Sequence, residues 1–240
     1  MKIVTKAIAV LMLMTMFFAT GFNKPENQDD DLNGHAYVDL GLPSGTLWAT
    51  CNVGADTPEG YGDYFAWGET QTKSTFNWCT YRYCKGNYDH KLTKYCSNIR
   101  NGYNGFTDNL TVLQPNDDAA TVNWGSDWCM PTRAQWEELY QNTTHTWKMQ
   151  NGVYGILFTA SYGASLFLPT AGYRCGSKID NAGSCVDYWS SSLNMDAQVR
   201  AWGFYGDSSL NHMWSDGIRM CSIDRCYGRS VRAVRSARQN

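Results

Sequence analysis

A C-terminal segment, residues 193–227, carries side chains that could bind a ligand. Within it, chemically mixed residues occupy alternate positions, and these are Trp214, Asp216, Ile218, Met220, Ser222, Asp224 and Cys226. Alternation along a β-strand would place them all on one face. A core face would be uniformly apolar, and a solvated face would rarely combine Trp, Ile and Met, so the mixed set indicates a ligand-binding surface. Asn194, Asp196 and Tyr227 complete the predicted site. The alternative is an irregular loop with incidental apolar residues.

Two pairs of adjacent carboxylates could indicate a catalytic site or a metal site. Glu137 and Glu138 could act as an acid and a base. However, adjacent helix positions do not converge on one substrate atom, which favours a solvated helix face. Asp117 and Asp118 offer oxygen ligands for Ca²⁺. They supply only a fraction of the roughly six to eight oxygens that this ion takes, and the first turn of a helix explains them equally well.

The sequence contains no nucleophile elbow, phosphate-binding loop, zinc-protease helix or dinucleotide fingerprint. Their absence weakens the interpretation as an enzyme, and no cofactor is predicted. The formal net charge is −2, so the basic footprint typical of nucleic-acid-binding proteins is missing as well. Together these features favour a binding module over an enzyme.

The cysteines predict disulfide bonds if the protein is exported. All nine lie beyond residue 21, and the odd number leaves at least one unpaired. Cys175 and Cys185 flank a Gly/Asn/Ser segment that a disulfide could close, and Cys79 could pair with Cys84 or Cys96. The connectivity stays open, because spacing alone does not determine it. The lack of a paired C-x-x-C motif and the scattered histidines argue against a structural zinc site.

Several local patterns predict the elements that would position these residues. Thr132 and Gln135 form a capping box that begins a helix, with Trp136, Leu139 and Tyr140 on one face. Short β-prone runs at 37–40 and 47–50 predict an opening hairpin. Residues 68–118 predict a long loop region with short strands. Later turns at Asn151-Gly152 and Tyr162-Gly163 each predict a hairpin.

Further strands are predicted at 188–190, 199–202 and 231–234. The last of these alternates apolar and basic residues, as an antiparallel strand with one solvent-facing side would. The pattern as a whole predicts an α+β fold of short antiparallel strands, few helices and long loops.

The N-terminus predicts export. Lys2 and Lys6 precede an apolar run and a small-residue triplet at 19–21, as in a cleaved signal peptide covering residues 1–21. A membrane anchor is the alternative, but the apolar run is about 12 residues long and a span needs about 20. Phe22 stands where a lipoprotein signal requires Cys, which argues against a lipid anchor. Residues 22–34 predict a flexible acidic linker, followed by a domain at 35–236. No later segment predicts a membrane span, and the destination is the periplasm, the cell surface or the medium.

Long phrases in the predicted domain resemble the Fibrobacter succinogenes major paralogous domain family. They occur in order over nearly all of residues 35–236 and are YVDLGLPSG at 37–45, LWAT at 47–50, YFAWGE at 64–69, MPT at 130–132, WEEL at 136–139, LPTAGYR at 168–174, YWSSS at 188–192 and GRSVR at 228–232. The resemblance implies a C-type lectin-like fold, related to formylglycine-generating enzymes. It also implies an exported protein that binds or adheres, with a protein or glycan at the cell surface as its partner.

Two further hypotheses follow from this resemblance. Formylglycine-generating enzymes hold copper with two C-terminal cysteines, and Cys221 and Cys226 here could bind Cu(I) in the same way. Cys226 lies only two residues before Gly228, whereas those enzymes have a longer insert, so the register argues against a copper enzyme. The same branch includes target proteins of diversity-generating retroelements, which implies that residues 193–227 could form a diversified binding face. A structural adhesin component is the remaining alternative.

Overall fold

The computed structural model describes residues 31–89, 91–210 and 217–236. The predicted signal peptide, most of the predicted linker, and two predicted site residues, Trp214 and Asp216, lie outside the described residues. The strands are β1 (Asp31–Leu32), β2 (His35–Asp39), β3 (Thr46–Asn52), β4 (Thr144–Gln150), β5 (Val153–Thr159), β6 (Ser165–Pro169), β7 (Tyr173–Cys175), β8 (Lys178–Asp180), β9 (Cys185–Leu193), β10 (Arg200–Asp207), β11 (Ile218–Asp224), β12 (Gly228–Arg229) and β13 (Arg232–Ser236). The α-helices are α1 (Ala119–Trp124) and α2 (Arg133–Asn142).

The strands form four small sheets in which every paired neighbour is antiparallel. Their orders are β1-β2-β3-β13, β11-β10-β9, β12-β7-β8 and β4-β5-β6. The chain is therefore built from small antiparallel sheets with few helices, as predicted. Within the described residues, no helix has the length and apolar character needed to cross a membrane.

Asparagine–glycine turns shape two of the hairpins. Asn151 and Gly152 adopt φ of 47° and 83° between β4 and β5, which confirms the predicted tight turn. Asn33 and Gly34 adopt φ of 53° and 80° between β1 and β2. Because β1 pairs with β2, regular structure is already present at Asp31, four residues before the predicted domain start at His35.

The terminal strand differs from its prediction. β13 pairs with β3, but its basic residues do not face solvent, since Arg232 is 0% and Arg235 is 8% exposed. Arg232 donates from Nε to Asn52 Oδ1 at 2.8 Å and from Nη1 to the Ala49 carbonyl at 3.0 Å. The guanidinium of Arg235 lies 5.2 Å from the centre of the Tyr37 ring. Apolar and basic residues do follow one another along β13, but both faces of the strand are covered by protein, so the predicted solvent-facing side is absent from it.

The region between β3 and α1 consists largely of loops, as predicted. Its described residues contain 3₁₀ helices at Tyr103–Gly105 and Pro115–Asp117 but only isolated bridges, such as Cys84 with Leu92, in place of the predicted short strands. Helix α1 follows, where one of the two interpretations of Asp117 and Asp118 placed the first turn of a helix. Asp118 is its N-cap and accepts the backbone N–H groups of Thr121 at 3.0 Å and Met130 at 2.8 Å. The helix-turn interpretation of Asp118 is therefore confirmed.

Helix α2 begins as the sequence predicts. The Thr132 hydroxyl accepts the backbone N–H of Gln135 at 3.2 Å, and Gln135 Oε1 accepts the backbone N–H of Thr132 at 2.9 Å. The buried face of the helix carries Trp136 and Leu139. The Trp136 ring stacks on Phe204 of β10 with centroids 4.7 Å apart. The capping box thus fixes the start of a helix that packs directly on the β9-β10-β11 sheet.

Replacing Thr132 by alanine is expected to lower the free energy of unfolding by about 1 kcal/mol, because the N-cap acceptor is lost. Urea denaturation measures the change. Thr107→Ala is the matched control, since Thr107 is exposed in a loop, and it is expected to change stability by less than about 0.5 kcal/mol. Equal stability of the two variants would contradict the role of the capping box.

Candidate functional site

Strands β10 and β11 present the predicted alternating residues on one shared face. The register pairs Phe204 with Met220, Trp202 with Ser222, and Arg200 with Asp224. Directly opposed residues of an antiparallel pair lie on the same side of the sheet. The even-numbered residues of both strands therefore form one surface, with apolar residues near Ile218 and polar residues near Asp224.

A pocket of about 310 Å³ separates the apolar end of this face from helix α2. Its strand side is formed by Phe204, Ile218, Arg219 and Met220, and its helix side by Arg133, Trp136, Glu137, Tyr140 and Gln141. The volume lies at the small end of the roughly 300–1,000 Å³ typical of ligand pockets. Ile218 and Met220, both predicted as site residues, thus line a cavity that a small group could enter.

The floor of the pocket is apolar and its rim is charged. Phe204 and Trp136 are 1% and 0% exposed, and they provide the stacked rings of the floor. At the rim, Arg133 Nε donates to Glu137 Oε1 at 2.7 Å. The Arg133 guanidinium lies 3.8 Å from the centre of the Trp202 ring. An apolar floor with a few fixed charges is the usual composition of a recognition pocket.

The polar end of the face extends the site along β11. Ser222 Oγ accepts a hydrogen bond of 2.6 Å from Asn194 Nδ2, and Asn194 Oδ1 accepts the backbone N–H of Asp196 at 3.0 Å. Asp224 forms an ion pair with Arg200 at 2.8 Å. These bonds link Asn194 to Ser222 and to the backbone of Asp196, and Asp224 lies two residues beyond Ser222 on the same face, paired with Arg200.

Cys226 does not lie on this face, contrary to the prediction from alternation. Strand β11 ends at Asp224, and the backbone N–H of Tyr227 turns back to the Asp224 carbonyl at 3.2 Å. Cys226 is 1% exposed in the core beneath the turn. Tyr227 packs near Tyr173 of β7, with ring centroids 6.0 Å apart. The strand period stops at Asp224, so alternation carries no information beyond it.

Cys221 and Cys226, the pair considered for copper binding, do not lie on a common face either. Cys221 lies on β11 opposite Gly203, on the other side of the strand from Met220 and Ser222. Burial raises the pKa of Cys226 to about 12, which keeps its thiol protonated. The thiolate is the form that binds metal, so the environment of Cys226 does not favour Cu(I).

All nine cysteines are free in the structure, so neither a Cys175–Cys185 disulfide nor one from Cys79 to Cys84 or Cys96 is formed in it. The described residues also contain no group of three or more His, Cys, Asp or Glu side chains that could hold a metal ion, around Asp117 and Asp118 or elsewhere.

The helix wall of the pocket was not predicted from the sequence. Arg133, Glu137 and Gln141 follow the i, i+4, i+8 spacing of a face interpreted as solvated, and Tyr140, which was predicted on the apolar face with Trp136 and Leu139, lies beside them in the pocket. Glu137 indeed points away from Glu138, which instead accepts the Ser44 backbone N–H at 2.7 Å. The signal that could have indicated the wall is the aromatic Tyr140 on a stripe that is otherwise polar.

No family model, curated protein or solved structure matches this chain.

Proposed function

We propose that this chain is an exported binding module that recognises a protein or glycan at the cell surface. In this proposal it has a C-type lectin-like fold and belongs to the Fibrobacter succinogenes major paralogous domain family. The ligand enters the pocket between α2 and the β10–β11 face. The ordered phrases of the sequence support the family, and the small antiparallel sheets with few helices are compatible with the fold.

One observation carries the binding role. Ile218 and Met220, at alternate positions of β11, line a cavity whose helix wall carries the charged Arg133 and Glu137. Met220 and Tyr140 are only half-buried in this lining, so part of its apolar surface remains open to water, which is unfavourable unless a ligand covers it. Arg133 contacts both Glu137, through one hydrogen bond, and the Trp202 ring, and these two contacts favour one arrangement of the rim before any ligand arrives.

Each part of the site has a distinct role in recognition. Tyr140 and Met220 are half-buried in the lining and offer an apolar surface for an aromatic or aliphatic group, or for the apolar face of a sugar. Arg133, Glu137 and Arg219 select hydrogen-bonding partners at the rim. The Asn194–Ser222 and Arg200–Asp224 pairs extend the contact for a larger ligand. If residues 193–227 are diversified, β10 and β11 are the strands on which the variation would act.

Replacing Arg133 by alanine is expected to weaken binding of the full-length chain by about tenfold or more, equivalent to about 1.4 kcal/mol. The side chain of Arg133 is 42% exposed, so its removal changes the rim while leaving the fold intact. The measurement is binding to arrayed glycans and arrayed extracellular proteins, followed by titration of each positive.

Arg100→Ala serves as the matched control, because Arg100 is exposed in the long loop region away from the pocket lining. It is expected to bind as the wild type does. Unchanged binding of Arg133→Ala would place the ligand on another surface. If the wild-type chain binds none of the arrayed glycans or proteins, the binding role itself fails.

A further inference from the structure

A second cavity of about 310 Å³ lies on a different part of the molecule. Its walls come from the loop after β3, from residues 72–76 and from β7, and they include Asp63, Tyr64, Thr72, Lys73, Phe76 and Arg174. None of these residues lines the pocket at α2. Whatever this cavity binds is therefore independent of the binding function proposed above.

Arg174 leaves an unpartnered positive charge at this cavity. Its Nε is buried and has no hydrogen-bond partner among the described residues. Nitrogens of Arg229 and Arg232 are also buried without a hydrogen-bond partner, but these two side chains are only 6% and 0% exposed. A desolvated donor without an acceptor is unfavourable and uncommon in folded proteins. Arg174 differs because it is only half-buried and lines an open cavity, so a ligand can reach its guanidinium.

The surroundings of Arg174 strengthen its attraction for an anion. The Phe76 ring is 1% exposed and lies 5.9 Å from the Arg174 guanidinium and 5.4 Å from Lys73 Nζ. Lys73 is already paired with Glu69 at 2.8 Å, so Arg174 supplies the charge that is not neutralised. A ring excludes water from one side, and the lower local dielectric makes a charge-assisted hydrogen bond stronger.

The lining of the cavity also contains hydrogen-bond acceptors. Asp63 is an exposed carboxylate and Thr72 an exposed hydroxyl, and both line the same space as Arg174. A ligand that fits carries a carboxylate toward Arg174 and hydroxyl donors toward Asp63. Guanidinium groups bind planar carboxylates through two parallel hydrogen bonds. The volume has room for one pyranose ring.

We propose that this cavity binds the uronic-acid residue of an acidic glycan, with Arg174 on the carboxylate and Asp63 on the ring hydroxyls. The sugar carboxylate supplies a negative partner for the accessible part of the Arg174 guanidinium. The inference rests on Arg174, Asp63 and the cavity alone, and it holds whether or not the pocket at α2 binds a ligand.

The test is a titration of the full-length chain with glucuronate, followed by nuclear magnetic resonance. Glucuronamide is the matched ligand, because it keeps the ring and hydroxyls but lacks the negative charge. We expect glucuronate to shift the signals of residues 62–64 and Arg174, and glucuronamide to bind about tenfold more weakly or less. Arg174→Gln is expected to lose the preference, while Arg100→Gln keeps it.

Equal binding of glucuronate and glucuronamide by the wild type would overturn the proposal, and this comparison needs no variant to fold. No binding of glucuronate at millimolar concentration would overturn it too. Glutamate provides the carboxylate without the sugar. If glutamate binds as tightly as glucuronate, the sugar assignment is wrong.

Discussion

Replacing Arg225 by methionine is expected to lower the free energy of unfolding by about 3–5 kcal/mol, the range typical of breaking a buried charged network. Arg225 is 0% exposed, and its guanidinium donates to Tyr81 Oη at 2.9 Å. It also donates to the carbonyls of Tyr95, Gln198 and Lys94 at 3.1, 2.9 and 3.0 Å. Methionine fills part of the space but leaves these buried acceptors without donors. Urea denaturation followed by tryptophan fluorescence measures the loss.

The matched control is Arg100→Met, which removes an exposed arginine and is expected to change stability by less than about 0.5 kcal/mol. Arg225→Lys is expected to recover only part of the loss, because a compact ammonium cannot reproduce the rigid fork of a guanidinium. If Arg225→Met unfolds at the same urea concentration as the wild type, the network does not hold the loop region to the strands.

The hydrogen bonds of Arg225 also illustrate a feature that cannot be predicted from the sequence. The capping box at Thr132 and the turn at Asn151-Gly152 are local patterns, and the structure confirms both. Arg225 and Arg232 have no local signal, because their partners lie far away in the chain. Asn52, which bonds Arg232, is 180 residues distant. Arginine in an alternating strand predicts a solvent-facing side unless such partners are known.

The candidate site was likewise predicted correctly only where a local pattern determines the structure. Ile218, Met220, Ser222 and Asp224 share one face because strand periodicity is a local property, and it was predicted correctly. Cys226 was placed wrongly because nothing in the alternation shows that the strand ends at Asp224. The helix wall was missed because the packing of α2 against β10 is a tertiary contact, carried by Trp136 on Phe204. Strand periodicity therefore predicts the β11 wall of the pocket, whereas the α2 wall can be identified only from the tertiary structure.

Replacing Asp117 by asparagine is expected to lower the free energy of unfolding at pH 7 by about 2–3 kcal/mol, since hydrogen bonds to a charged group are lost. Asp117 is 3% exposed and accepts hydrogen bonds from Lys94 Nζ at 2.5 Å, from Tyr95 Oη at 2.6 Å and from the Tyr83 hydroxyl. Burial alone would raise the pKa of Asp117, but the bonds from Lys94, Tyr83 and Tyr95 outweigh it and lower the pKa below the ordinary 3.8.

The sign of this shift sets the pH dependence. Because the pKa of Asp117 is lower in the folded state, its contribution is fully present above the unfolded pKa of about 3.9 and is lost as pH falls through the folded value. The stability difference between the wild type and Asp117→Asn is therefore expected to shrink as pH is lowered from 7 toward about 2.5. Urea denaturation at a series of pH values measures this difference.

Asp127→Asn is the matched control, because Asp127 is exposed, and it is expected to change stability by less than about 0.5 kcal/mol at any pH. Burial raises the pKa of the neighbouring Asp118, which acts on stability with the opposite sign. Asp118 is present in both proteins, so its contribution cancels in the comparison. A difference between the wild type and Asp117→Asn that stays constant with pH would show that the charge of Asp117 does not stabilise the fold, and that only the shape of the side chain matters there.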